Sequence, residues 1–391
     1  MKINLIIPSF YPAVTYGGPI FSTLNTSKEL AKLDDIEVYV STTNANMTSK
    51  LDIETSKDIE LEKNLYAKYY NETIINKFSI PLIFGISKDI QKSDAVHIQS
   101  VFSLSTPVSL YFAKKNNKPT LLSPRGQFGG WCLENGSGLK GKWLKYFIEP
   151  FAKYVTWHAT AQQEKDEILS IFPNAKVDII PNGIYVDEFK KFNKLDKNKY
   201  IRKFIGKEVE NIDKIIVSMG RVQKKKGFDI LVDSFVEVLK KYPDSYLLIA
   251  GPDEGEKGNI ENQIMKLDLK NRVFLIGNVG NQEKIDFLAN ADLFVLPSHN
   301  ENFGNVYLES LATGTPIVAS FGTPWSEVEE YDCGKWVENS IEETSKAMIE
   351  ILDKNRETMR VNSLNLASKY DWSSVALQFK KLFDRMVNEK S

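Results

Sequence analysis

Two doubly wound α/β domains are the architecture this sequence predicts, and three observations predict it. The chain has 391 residues, beyond the size at which a single hydrophobic core stops growing, so two domains of roughly 180 residues each are expected. Short apolar runs alternate with amphipathic segments almost from end to end, as in βαβ units that feed parallel sheets. The alternation breaks once, at Pro181-Asn-Gly183 and the lysine- and asparagine-rich stretch that runs to about Ile212, and restarts at Lys214. The expected domains are residues 1–185 and 186–371, followed by a closing amphipathic helix over about 372–391.

In the first half, Ile3-Asn-Leu-Ile-Ile7 reads as a strand that Pro8 ends. Tyr16-Gly-Gly-Pro-Ile20 is a turn that opens a helix ending near Leu33, and Ile36–Val40 is the next strand. Gly17 and Gly18 therefore sit in a strand-to-helix loop, where a simple turn and a close backbone approach to a ligand are equally good readings. Residues 46–77 are polar and mixed in charge and read as surface helices and loops. Asp94–Gln99 is a strand, a helix follows near Pro107–Lys115, and Thr120–Ser123 is a strand that runs into Pro124-Arg125-Gly126. His97 and Arg125 lie at carboxyl ends of strands, the ends that face the ligand crevice in doubly wound sheets. A histidine in such a strand is more often a satisfied core residue than a catalytic one. Arg125, between proline and glycine, is harder to explain as structure. Thr156–Thr160 and Val177–Ile180 complete this half, with a helix around Glu164–Ile171.

The segment Asn135–Trp143 imitates two phosphate motifs without satisfying either. Trp143 stands where a P-loop needs a hydroxyl for magnesium, and no strand precedes the glycines. Around it, Lys114, Lys115, Lys118, Lys140, Lys142, Lys145 and Lys153 interleave with Trp131, Trp143, Tyr146, Phe147 and Trp157. That pattern fits an anionic lipid headgroup or phosphate-bearing acceptor. It equally fits a helix with a core face and a solvated lysine face.

The second half restarts with the strand Lys214–Met219. The loop through Arg221 and Lys226 leads to a helix whose Phe228, Leu231, Val232, Phe235 and Leu239 repeat at helical spacing. Tyr246–Gly251 and Arg272–Gly277 are strands, and Asn278 lies in a loop suited to holding a base. Leu293–Leu296 is the strand before the richest segment of the chain, Pro297-Ser-His-Asn-Glu301-Asn-Phe-Gly-Asn-Val-Tyr-Leu-Glu309. Glu301 falls in the loop and Glu309 about two turns into the following helix. Between them come the first-turn amides near Phe303, Gly304, Asn305 and Val306, a backbone arrangement that binds phosphate. Read singly, each glutamate is an ordinary solvated acid. Arg221 and Lys226, between a strand end and a helix start, are placed to neutralise a diphosphate and stabilise it as a leaving group.

Composition excludes several classes. With 50 Lys+Arg against 51 Asp+Glu, the chain lacks the positive excess of a general nucleic-acid binder. Cys132 and Cys333 are its only cysteines and match no metal spacing, which points to a reducing compartment. No apolar run approaches the length of a membrane span. The expectation is a cytoplasmic protein, with any membrane contact peripheral on the inner face of the cytoplasmic membrane.

Together, Gly220-Arg221, Lys226-Gly227 and the P-S-x-x-E-x-F-G-x-x-x-x-E run strongly resemble the retaining glycosyltransferases of family 4, which have the GT-B fold. Gly17-Gly18, Pro181-Asn-Gly-Ile184, Gly277 and Gly314-Thr-Pro-Ile-Val318 support the resemblance over nearly the whole length. Ser123-Pro-Arg-Gly126, Thr323-Pro-Trp325 and Cys333-Gly334 are similar to a bacterial branch that builds surface polysaccharides such as O-antigen, capsule or exopolysaccharide.

The resemblance implies a central cleft between an acceptor-binding first domain and a nucleotide-sugar-binding second domain, with the closing helix packing back on the first. By the same resemblance, Arg221 and Lys226 bind the diphosphate, Glu301 the donor sugar and Glu309 the ribose. Phe303 to Val306, Gly17, Gly18 and Asn278 complete the donor site, and Arg125 and His97 lie on the acceptor or sugar side. The donor would be a UDP- or GDP-linked sugar and the acceptor a saccharide or lipid-linked glycan, with no metal and no cofactor. The absence of any Asp-x-Asp pair agrees on the metal. Many family members carry histidine where Arg125 stands, and an arginine cannot act as a base at neutral pH. Rival readings are an epimerase or phosphorylase of the same fold, a non-catalytic sugar-nucleotide binder and, least supported, a dinucleotide oxidoreductase.

Overall fold

The structure, a computed structural model, describes residues 1–73, 77–129 and 138–390. Trp131, Cys132 and residues 135–137 of the Asn135 segment lie outside the described residues. The chain divides into two compact units, one of residues 1–183 with the segment from Trp372 onward, the other Ile184–Asp371.

The first unit is built on β1 (Lys2–Ser9), β2 (Glu37–Thr43), β3 (Ala45–Asn46), β4 (Ser49–Lys50), β5 (Asp58–Glu62), β6 (Leu65–Tyr70), β7 (Ala95–Gln99), β8 (Thr120–Ser123), β9 (Thr156–Ala159) and β10 (Lys176–Ile179). Eight of these form a sheet in the order β10-β9-β8-β7-β1-β2-β6-β5, and only the β5–β6 pair is antiparallel. Helices α1 (Gly18–Ala31), α2 (Ile80–Gln91), α3 (Ser105–Lys115), α4 (Leu139–Trp143) and α5 (Gln162–Ile171) supply the crossovers and covers. Because helices cover the sheet, its central strands are near-continuous apolar runs: Ile3, Leu5, Ile6 and Ile7 of β1 are all buried. The final helix of the chain, Trp372–Asn388, belongs to this unit, where it packs against α1 and β7. Its Trp372, Val375, Phe379, Leu382, Phe383 and Met386 form the buried stripe.

Two sequence expectations need correction here. Pro8 does not end the first strand; β1 continues to Ser9, with its pairing to β2 shifting register between Ile6 and Ser9, where the missing proline N–H interrupts the ladder. Nor are residues 46–77 surface helices. Asp58-Ile-Glu-Leu-Glu62 and Leu65–Tyr70 are strands, and β5 is an edge strand whose alternating acids face water, which hid its period of two among the charges.

The second unit opens with α6 (Val186–Phe189) and α7 (Lys197–Ile205), so part of the lysine-rich stretch after Gly183 is folded helix rather than linker. Asp196 caps α7 by accepting from Lys199 N at 2.8 Å, Gly206 ends it in the left-handed region, and Tyr200 and Ile201 are fully buried. Then follow β11 (Ile215–Met219), α8 (Phe228–Lys241), β12 (Tyr246–Ala250), α9 (Lys257–Lys266), β13 (Val273–Gly277), α10 (Asn281–Ala289), β14 (Leu293–Leu296) and α11 (Asn305–Ala312). The unit ends with β15 (Ile317–Ser320), α12 (Glu327–Glu330), β16 (Gly334–Val337), α13 (Ile341–Asp353) and α14 (Arg356–Ser368), and the final helix of the first unit is α15. Its all-parallel sheet runs β13-β12-β11-β14-β15-β16.

Both sheets reverse their winding direction once, between β1 and β7 in the first unit and between β11 and β14 in the second. Such switch points open a crevice at the carboxyl ends of the strands, the place where doubly wound sheets bind ligands. Among the described residues no helix is long and apolar enough to cross a membrane.

Candidate active site

The switch point of the second unit gathers Lys226 and Glu301. Lys226 lies in a 3-10 turn, Lys224–Lys226, after β11, and Glu301 in the loop after β14. The two loops are tied by backbone: His299 N donates to Lys225 O at 2.8 Å, and Ser298 Oγ donates to the same oxygen at 3.1 Å. Gly227 has φ +67°, and a Cβ there would lie 2.1 Å from Pro297 O, so only glycine lets the loops approach this closely. The result is an ion pair between the Lys226 ammonium and the Glu301 carboxylate, with side chains 14% and 13% exposed. A mostly buried pair of this kind is held by its frame, because separating the partners would leave a charge in low dielectric.

Glu301 is fixed next to the start of α11. Its N–H donates to Gly322 O at 2.8 Å. Gly304 holds φ +74°, and a Cβ on it would meet the Tyr307 ring at 2.7 Å and Glu301 Cγ at 3.5 Å. Tyr307 Oη donates to Leu296 O at 2.6 Å, locking the helix start to the end of β14. The cap position of α11 is Gly304, which has no side chain to accept from the helix. The Phe303 ring is core, edge-on to Trp325 at 5.2 Å and to Tyr370 at 5.9 Å, and its carbonyl accepts from Trp325 Nε1 at 2.7 Å. Phe303 therefore contributes to this corner through packing and backbone alone.

Glu309 is not a solvated acid. Its carboxylate lies 2.6 Å from Lys284 Nζ on α10, and Lys284 in turn stands over the Phe189 ring. Sequence reasoning missed Lys284, which carries no motif and reaches Glu309 only through the packing of α10 on α11. Arg221 departs from its expected partnership with Lys226. Its side chain is 60% exposed and pairs with Glu254 at 3.0 Å, on the loop after β12. Asn278 is exposed after Gly277, which has φ +76°.

In the first unit, Gly17 is the residue before α1, with φ +77°, and open space surrounds it, while Gly18 is the first residue of the helix. Tyr16, Pro19 and Ile20 on either side of this pair line a cavity of about 500 Å³ at the switch point, together with loop residues after β1, β7 and β8. Arg125 lines it as well. Arg125 has φ +58° and donates from Nη1 to Asn182 Oδ1 at 3.0 Å.

His97, expected beside Arg125, is elsewhere: it is a buried core residue under α15, its ring 5.9 Å from Phe379. It belongs to a hydrogen-bond relay whose polarity is fixed by the one carbonyl in it. His158 Nε2 must donate to Ile180 O at 2.8 Å, so His158 Nδ1 accepts from Ser123 Oγ at 2.8 Å, and Ser123 Oγ accepts from His97 Nε2 at 2.8 Å. Burial, with repulsion from His158 and Arg125, holds His97 well below the usual histidine range, and burial with Arg125 pushes His158 down to about 3. The unfolded chain then binds protons below about pH 6.5 that the folded chain refuses. Stability is complete above that pH and falls as pH drops, by about 1.4 kcal/mol per unit for each histidine. Urea midpoints of wild type and His158→Gln at pH 7 and pH 5 check this: the wild type should lose more stability on acidification, and parallel losses would refute it.

The basic-aromatic surface separates into two kinds of residue. Trp157 is fully buried and Trp143 Nε1 donates to Val101 O at 2.9 Å, whereas Tyr111, Tyr146, Phe147 and Tyr154 are exposed. Lys114 Nζ stands 3.7 Å from the centre of the Tyr154 ring.

The chain is similar to known proteins in sequence and in fold. Residues 201–365 match the family described as Glycosyl transferases group 1. Alpha-monoglucosyldiacylglycerol synthase of Streptococcus pneumoniae is 25% identical over 83% of this chain and 72% of its own. Some other curated relatives align over less than half of their own length, whereas an uncharacterized glycosyltransferase of Methanocaldococcus jannaschii is 24% identical over 99% of this chain and 100% of its own. The crystal structure of Anabaena HepE in complex with UDP and glucose superposes with a TM-score of 0.73 over 98% of this chain and 100% of that one, at 18% identity. WaaG, a glycosyltransferase involved in lipopolysaccharide biosynthesis, gives 0.67 over 98% and 99% at 15% identity. The fold is thus two Rossmann-like α/β domains, as in GT-B glycosyltransferases, and residues 201–365 are similar to the group 1 glycosyltransferases.

Proposed function

We propose that the protein transfers a sugar from a nucleoside-diphosphate donor to a saccharide or lipid-linked acceptor, with retention of anomeric configuration and without a metal, in building a bacterial surface polysaccharide. The observation that carries this reading is the Lys226–Glu301 pair beside the start of α11 at a sheet switch point. The second unit is the donor-binding domain. The first-turn amides of Gly304, Asn305 and Val306 and the Lys226 ammonium receive the diphosphate, with exposed Arg221 turning from Glu254 to join them. Glu301, released from Lys226, takes sugar hydroxyls, and Glu309, released from Lys284, takes the ribose. Asn278 would take the base.

In the transfer, the bond between the anomeric carbon and the diphosphate oxygen breaks and a bond to an acceptor hydroxyl oxygen forms. The acceptor proton leaves with the departing phosphate oxygen, whose charge Lys226 stabilises. Arg125 cannot take that proton, in keeping with a leaving group that does. The HepE complexes with UDP favour a UDP-linked over a GDP-linked donor, and the similarity to the pneumococcal glucosyldiacylglycerol synthase favours a lipid-linked acceptor. Exposed Tyr111, Tyr146, Phe147 and Tyr154 among lysines suit peripheral contact with an anionic leaflet.

The test is one assay with several arms. UDP- and GDP-sugars are incubated with saccharides or with acceptor lipid in anionic vesicles, with and without EDTA, using wild type and Glu301→Gln. A product of the donor's anomeric configuration by proton NMR, formed in EDTA, on sedimenting vesicles and lost in Glu301→Gln is expected. An epimerised sugar nucleotide, phosphate-dependent cleavage or an inverted product would sink the reading.

A further inference from the structure

The cavity of the first unit is polarised in one direction. Among the described residues, Arg125 and Lys77 line it and no aspartate or glutamate does. Arg125 donates to the neutral Asn182, while its Nε and Nη2, shut off from solvent, have no partner among the described residues. The nearest acid acting on it, Glu164, is already committed: Oε1 accepts from Gly126 N at 2.6 Å, and Oε2 accepts from Thr160 N at 2.7 Å and Thr160 Oγ1 at 2.9 Å. Glu164 is thus a counter-charge that acts on Arg125 from a distance, while no acceptor meets the Nε and Nη2 hydrogens among the described residues. Burial correspondingly pushes Arg125 down to about 10.

A second unpaired group faces the same space. Ser9 lines the cavity, is 4% exposed, and its Oγ has no hydrogen-bond partner. Lys77 leaves its ammonium 3.9 Å from the Tyr16 ring, and burial lowers its affinity for the proton against the opposing pull of Glu72. Three of the lining residues, Lys77, Ser100 and Arg125, hold left-handed backbone that non-glycine residues rarely adopt. Phe78, Phe102 and Ile20 supply apolar walls. A space of about 500 Å³ with apolar walls, two cations and an orphan hydroxyl accepts a sugar-sized molecule that bears an acidic group.

We propose that this cavity binds an oxyanion carried by the acceptor, a carboxylate or a phosphate, which supplies the hydrogen-bond acceptor that Arg125 lacks, with Lys77 and Ser9 as its other partners. The proposal rests on the first unit being the acceptor domain. It names the acceptor class: an acidic saccharide or a sugar phosphate rather than a neutral sugar. An incoming oxyanion receives charge-assisted hydrogen bonds, to which a planar guanidinium is suited in two-point geometry.

The experiment is calorimetric titration of the full chain with inorganic phosphate, with glucuronate and, as the neutral control, with glucose. It is carried out in wild type, Arg125→Gln, Lys77→Gln and Ser9→Ala. All are repeated on the Lys226→Ala background, so that binding to the second unit does not contribute. Binding of phosphate or glucuronate, weakened about tenfold or more by Arg125→Gln and less by Lys77→Gln and Ser9→Ala, is expected, with glucose at least tenfold weaker. Preference for phosphate assigns a phosphorylated acceptor and preference for glucuronate a uronic-acid acceptor; either supports the proposal. No anion binding to the wild type, or equal binding to Arg125→Gln and wild type, overturns it. Should Arg125→Gln fail to fold, the Lys77→Gln and Ser9→Ala titrations decide the matter, and unchanged affinity in both overturns it. UDP titration of the wild type runs alongside. Loss of UDP binding with anion binding intact faults the transferase reading alone, and the reverse faults this inference alone.

Discussion

Lys226→Ala is expected to lower turnover by about two to three orders of magnitude, some 3 kcal/mol, the scale of losing one preorganised donor to a developing oxyanion. The frame around this lysine explains why the loss should fall on kcat. Its turn is bound through Lys225 O to His299 and Ser298, and its ammonium already sits in the corner with Glu301 and the start of α11. Little reorganisation is then needed when charge builds on the leaving phosphate. Removal of the ammonium has a second effect, because Glu301 becomes a mostly buried carboxylate without its partner, which is destabilising in itself. Comparing Lys226→Ala with Lys226→Ala/Glu301→Gln separates the two: thermal stability should recover in the double variant while turnover does not. Wild-type kcat in Lys226→Ala would remove this residue from the reaction.

Gly227→Ala should be the most damaging single-methyl change in the second unit. The left-handed backbone alone costs on the order of 1–3 kcal/mol for a residue with a Cβ. The added methyl would also sit 2.1 Å from Pro297 O, a backbone atom that moves only if the whole loop moves. Gly206 provides the internal control, since it has nearly the same φ, +68°, but open space around it. Gly206→Ala should therefore show the conformational cost by itself, and Gly227→Ala that cost plus a displaced Glu301 loop and much reduced activity. Equal melting temperatures and equal activities in the two variants would mean that the loops are not held in register by this contact.

What was legible in the sequence follows the range of the interaction that creates it. Apolar runs such as Ile215–Met219 and Leu293–Leu296 declare themselves because both faces of a central strand are buried, and the Glu301–Glu309 segment declares itself because its chemistry is contiguous. The edge strand β5 was misread since its outer residues answer to water. The partners Lys284 and Glu254 are invisible in sequence, being set by the packing of neighbouring crossover units. His97 shows the converse. Its position at a strand's carboxyl end suggested the site, but α15, arriving almost three hundred residues later, covers it with Phe379 and Phe383.

That late arrival has a bearing on how the chain is made. The first unit lacks a wall until Trp372–Asn388 exists, and Trp372 seats against Gly183, where a Cβ would lie 2.5 Å from its ring. During synthesis from the N-terminus, the first unit to emerge is consequently the last to be completed, while the second is whole as soon as Asp371 appears. The exposed face of β7 and α1 must wait, with its apolar side chains in water, for the length of an entire intervening domain.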